Sequence, residues 1–153
     1  MAGDFFKRGG LWVLGQSVLM LVNVAAPLWH WTQPVLWRSL CGLFLLAVAA
    51  ACGISGVLCL GRSLTAFPHP ASRTRLVHTG IYGLMRHPLY AAVMAWAMGW
   101  TLLWPSWPGV GAALAMTVFL DAKARTEERR LRQHFPEYAT YEKRVRRFLP
   151  GLY

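Results

Sequence analysis

The chain has 153 residues, 56% of them apolar, with eight tryptophans but only six acidic side chains. Charged residues make up 14%, against about a quarter in a soluble globular domain. The net charge of +10 comes from cations that border apolar runs and form no nucleic-acid motif. An ordinary soluble domain and a DNA or RNA binder are thereby excluded, and anionic lipid headgroups become the expected counter-charge.

The expected fold is all-α, a polytopic membrane bundle forming one domain over residues 1–153. Lys7 and Arg8 precede a first span at residues 11–31. That run is too long for a signal peptide and lacks a small-residue cleavage site, so it reads as an uncleaved span. Its Gln16, Asn23 and Pro27 should face neighbouring helices, because hydrocarbon cannot satisfy polar groups. A Trp-rich turn at residues 29–37 has the composition of an interfacial belt. The second span is placed at residues 40–60. It carries all three cysteines, Cys41, Cys52 and Cys59, whose spacing suggests neither disulfides nor zinc but small core-filling residues.

Residues 61–88 are richer in Pro, Gly, Ser and Thr and read as a long functional loop. Two shorter apolar runs follow at residues 89–104 and 108–120, joined by "PSWPG". They should form a hairpin supported by its neighbours or crossing a thinned bilayer. "GVGAA" at residues 109–113 follows no strand, so it reads as close helix packing rather than a dinucleotide fingerprint. A cationic tail spans residues 121–153, with helical patterning up to Pro136 and again beyond it. With both termini cytoplasmic, only Arg38 of the sixteen Lys and Arg residues lies outside, a strong positive-inside bias.

Candidate chemistry gathers at two places. Arg86-His87-Pro88 stands at the mouth of the third span, with Tyr90 one step inside. On a helical wheel, Leu120, Ala124, Leu131 and Phe135 form an apolar stripe within about 60°, flanked by Glu127 and Glu128, while Arg125, Arg129, Arg130 and Arg132 face away. Carboxylates beside a packed stripe need a cationic partner. That partner could be local: Glu127 with Lys123 and Glu128 with Arg132 are i,i+4 pairs, and Arg86 and His87 could be snorkelling interface residues. Glu142, on the tail, reads as solvated. His69, His78 and His87, nine apart, have no spacing that gathers a metal. Asp4 and Asp121 are not placed to orient a histidine in a Ser-His-Asp triad. Taken together, the loop up to Tyr90 and the Glu127-Glu128 helix outline a cytoplasmic pocket for a zwitterion carrying an amine and an adenine, open sideways to lipid.

The combination "LVHTGIYGLMRHPLY" (76–90) and "TEERRLRQHFPEYATYEKRVRRFLP" (126–150) resembles the isoprenylcysteine carboxyl methyltransferase and phospholipid methyltransferase group of membrane enzymes. The resemblance covers roughly residues 61–150. It implies S-adenosylmethionine as cofactor, lined by Leu76, Val77, Tyr82, His87, Pro88, Leu89 and Tyr90, with Glu127 holding its amino group. It also implies Lys123 on the methyl-acceptor side and Arg86 and Tyr90 as catalytic candidates, Arg86 either bracing the loop or meeting a carboxylate. Three residues depart from the family pattern: Pro136 and Ala92 where glycine is common, and Arg146 where proline is frequent.

The implied reaction is methyl transfer to a lipophilic or lipidated acceptor at the membrane surface, through a carboxylate, thiol or amine. A sulfonium methyl is already activated, so the protein's task is alignment and exclusion of water. Two alternatives stand beside it. A sterol-type reductase would use NADPH and usually shows asparagine at the position of Leu89; a non-catalytic membrane scaffold would bind neither nucleotide.

Overall fold

The computed structural model describes residues 10–28, 33, 35–61 and 76–153. Lys7 and Arg8, most of the Trp-rich turn, and loop residues 62–75 with His69 lie outside the described residues. Among those described, the architecture is all-helical, and its one β feature is an isolated parallel bridge between Met85 and Arg146.

Five α-helices follow in order: α1 Gly10–Ala25, α2 Leu36–Leu60, α3 Pro88–Leu103, α4 Trp107–His134 and α5 Tyr138–Arg144. Their boundaries follow local chemistry. Gly61 ends α2 at φ 48°, a left-handed conformation that glycine adopts without steric cost. Pro88 opens α3 at its first turn, where a missing N–H leaves no intrahelical bond unmade. Ser106 caps α4 by accepting from the Gly109 N–H at 3.1 Å, and Pro136 follows its end. The fourth predicted span and the first tail helix are therefore one helix of 28 residues, apolar at its start and cationic at its end.

Helix α2, with 25 residues and a mean hydropathy of 2.5, is about 37 Å long and exceeds a bilayer core of about 30 Å. Leu40, Leu43, Phe44, Ile54 and Leu58 all point outward from it, an apolar surface suited to lipid. Among the described residues it is the one helix long and apolar enough to cross a membrane; α1 and α3 are apolar but have 16 residues each. Cys41 lies on the outward face and is not core-filling, while Cys52 and Cys59 are half-buried.

Helix α3 lies between α2 and α4, and α1 packs on α4. The α2–α3 seam is close because its residues are small. A Cβ on Gly99 would come within 2.8 Å of the Gly42 carbonyl oxygen, and one on Gly56 within 2.8 Å of Leu89. On the other side Gly15 of α1 admits the Phe119 ring of α4. Met94, Ala97, Ala113, Met116, Leu120, Ala124 and Phe148 form the core. Gly109, Ala112 and Ala113 face inward as expected of close packing, whereas Gly111 faces open space.

Candidate functional site

The site forms where residues 76–90, helix α4 and the returning tail meet. Gly80 at φ 60° turns the loop inward, against Cys59, and a short 3-10 turn, Gly80–Gly83, follows. The chain then runs beside the tail: Arg86 N–H donates to the Arg146 carbonyl at 2.8 Å, and His87 N–H to the Arg147 carbonyl at 3.0 Å. These bonds tie the backbone to the tail up to Pro88, where α3 begins.

Side chains fix the same junction more tightly. The Glu128 carboxylate is only 1% exposed. Its Oε1 accepts from Arg86 Nε at 3.1 Å and Arg147 Nε at 3.0 Å, and lies 3.2 Å from His87 Nε2. Its Oε2 accepts from Arg147 Nη2 at 2.9 Å. Burial alone would raise the pKa of this carboxyl, but hydrogen bonds from His87 and Arg147 and the charge of Arg86 hold it well below the usual carboxylate range. Arg147 also donates to Asp121 Oδ1 at 2.9 Å. Arg86 Nη1 donates to the carbonyls of Glu142 and Val145, each at 2.8 Å. The Arg86 guanidinium thus binds the doorway to helix α4 and to the tail.

Glu127 points to a different neighbourhood. It is 27% exposed, and Tyr90 Oη donates to its Oε2 at 2.8 Å. The described bonds and close charges on Glu127 all fall on Oε2. The Tyr90 and His87 rings stack with centroids 5.2 Å apart and planes 1° from parallel, and His87 Nδ1 lies 3.8 Å from Glu127 Oε2. The His87 ring therefore stands between the two carboxylates. Lys123, 2% exposed, places its ammonium 5.2 Å from the Tyr90 ring centroid and donates to Gln16 Oε1 of α1 at 2.7 Å. Burial lowers its proton affinity, and Glu127 partly restores it.

His87, Tyr90, Lys123 and Glu127 are thus brought together, with buried Tyr82 close enough to feel the Glu127 charge. Leu76 and Val77 are half-buried ahead of the 3-10 turn. Pro88 and Leu89 turn their side chains toward Gly56 of α2. The local pair of Glu128 with Arg132 does not form: Arg132 instead grips Glu142 with bonds of 2.7–3.0 Å, so Glu142 is not simply solvated. Sequence reasoning left out Glu128 as a centre of the site, Arg147 and Gln16. The doubled glutamate was a signal for the first. Arg147 is one of four cations within five residues and carried no signal of its own; Gln16 was expected to face a neighbouring helix, but its partner, over a hundred residues away, could not be read.

The residues fit an ammonium-bearing ligand. A half-exposed carboxylate with one oxygen engaged, beside stacked aromatic rings, is suited to a cationic head with a π-system. Residues 37–138 match the family described as phospholipid methyltransferase. A probable protein-S-isoprenylcysteine O-methyltransferase of Oryza sativa subsp. indica is 31% identical over 92% of this chain and 76% of its own length. The protein-S-isoprenylcysteine O-methyltransferase of Homo sapiens is 28% identical over 81% of this chain and 45% of its own. The cobalt-zinc-cadmium resistance protein CzcN of Cupriavidus metallidurans is 38% identical over 50% of this chain, the match spanning 36% of that relative. By the match over residues 37–138 and the likeness to the rice relative, the chain belongs to the phospholipid methyltransferase and isoprenylcysteine methyltransferase family.

Proposed function

We propose that this protein transfers a methyl group from S-adenosylmethionine to a lipophilic acceptor at the cytoplasmic membrane face, with four membrane segments and both ends of the chain on that side. The observation that carries the reading is Glu127: a partly buried carboxylate, engaged by Tyr90 on one oxygen, beside the start of α3. Glu127 would hold the amino group of the cofactor, and His87, Tyr90 and Tyr82 with Leu76 and Val77 would enclose the rest. Pro88 and Leu89 set the backbone there by packing on α2. When bound, the cofactor supplies an already activated methyl group.

The chain's own residues then have three tasks. Arg86 and Arg147 position the doorway by clamping Glu128. Lys123, held by Gln16, offers an ammonium on the acceptor side. For an amine acceptor, which must shed a proton, His87 or Tyr90 is the relay, Tyr90 passing its hydroxyl proton to Glu127 as it takes up that of the amine; a carboxylate or thiolate needs no such relay. The rice and human relatives are named for S-isoprenylcysteine, so an S-prenylated cysteine is the first acceptor to test. Calorimetric titration of the detergent-purified protein with S-adenosylmethionine and with NADPH tests the core of the reading. Binding of the first alone is expected; binding of NADPH alone would move the protein to the reductases, and binding of neither would leave a scaffold.

A further inference from the structure

The tail does more than cover the site. The bridge between Met85 and Arg146 is parallel, so residues 146–149 run in the same direction as residues 85–88, which lead into α3 and toward the bilayer. Phe148 is buried in the core with Met94, Met116 and Leu120. The Tyr153 hydroxyl donates to Asp121 at 3.1 Å, the first polar residue after the apolar part of α4. The Phe148 and Leu149 N–H groups both donate to the Tyr153 carbonyl, at 2.7 and 2.8 Å, closing residues 148–153 into a hook. The hook therefore lies at the level of Pro88 and Asp121, where two apolar segments reach the membrane surface. Yet Leu149 is 55% and Leu152 79% exposed, and Lys143, Arg144 and Arg146 are exposed just before them.

We infer that residues 148–153 form an interfacial anchor, with Leu149 and Leu152 inserted among anionic lipid headgroups and Lys143, Arg144 and Arg146 neutralising them. Apolar side chains next to a cationic cluster are the composition of an interfacial segment. The surface adjoins α4 at Asp121, and the apolar part of that helix turns Leu114 and Val118 outward. Arg147, between the anchor and Glu128, makes membrane contact and doorway geometry parts of one assembly.

The test uses the full chain with Cys41, Cys52 and Cys59 replaced by alanine, reconstituted in nanodiscs. An environment-sensitive fluorophore is placed on Leu152→Cys, Gln133→Cys or Phe44→Cys, and quenching by lipids spin-labelled at the headgroup or deep in the chain is measured. Leu152 should be quenched from the headgroup region, Phe44 from the chains, and Gln133, near the far end of α4, by neither. Replacing anionic by zwitterionic lipid should weaken Leu152 insertion by roughly fivefold per cation engaged. A Leu152 probe that stays water-exposed while Phe44 is quenched overturns the anchor. So does burial of that probe that depends on two copies per disc, which would make the surface a self-contact. A Phe44 probe without quenching overturns the membrane reading itself, on which the anchor rests.

Discussion

Burying the Glu128 carboxylate is tolerable because Arg86, Arg147 and His87 meet both of its oxygens, whereas removing one member of such a cluster leaves an uncompensated charge. Glu128→Gln should therefore lower the thermal midpoint at neutral pH. The sign of its pH dependence follows from the depressed folded-state pKa: the stability it contributes is present above the ordinary value of 4.5 and is lost as pH falls below it. The gap between parent and Glu128→Gln in melting scans should thus close on acidification; a gap that stays constant would contradict the linkage. Glu127 should behave differently. A charge-assisted bond to an ammonium contributes about 1.5–3 kcal/mol, or roughly 10–150-fold in affinity. Glu127→Gln should lose S-adenosylmethionine affinity in that range by calorimetry while melting near the parent temperature. Unchanged affinity would show the cofactor site to be misplaced. The wheel drawn from sequence put both glutamates beside the packed stripe, where they are. It could not say which was more enclosed, because that depends on a tail arginine nineteen positions away and on the doorway.

Helix α2 is long enough for its apolar length to announce it, and α3 has proline at its start, so both were legible. The join of the fourth span to the tail helix was hidden by a change of solvent rather than of structure: α4 leaves the apolar zone at Asp121 without a break, and composition shifts where the backbone does not. The α2–α3 seam was equally illegible, since Gly42 and Gly99 look like any helix glycines until the two helices are side by side. Their approach makes a specific expectation. Gly99→Val would drive a branched side chain against the Gly42 carbonyl, forcing backbone to move and costing about 1–3 kcal/mol. Gly111→Ala meets nothing within 4 Å and should instead stabilise α4 by up to about 1 kcal/mol. Thermal melts of the two variants in one detergent decide it, and equal destabilisation by both would mean the seam is not closely packed.

At the scale of the whole molecule, the site occupies the rim of the apolar bundle rather than a water-filled centre. Its walls are the start of α3, the middle of α4 and the returning tail, and Lys123 reaches across to α1. A water-soluble acceptor would gain little from this placement, while a lipid-anchored one would arrive already concentrated in the plane where Lys123 and Tyr90 stand. Each methylene buried beside the bundle contributes about 0.8 kcal/mol. An S-prenylated cysteine shortened by three buried methylenes should therefore lose about 2.4 kcal/mol, or roughly sixtyfold, in kcat/KM. The loss should appear in KM if the chain only holds the acceptor, and in kcat if it also aligns the acceptor for attack. Measuring both constants in nanodiscs, across acceptors graded in chain length, separates these cases. Equal kcat/KM for the full-length and truncated acceptors would remove the lateral route from lipid, and with it the reason for building the site on a membrane rim.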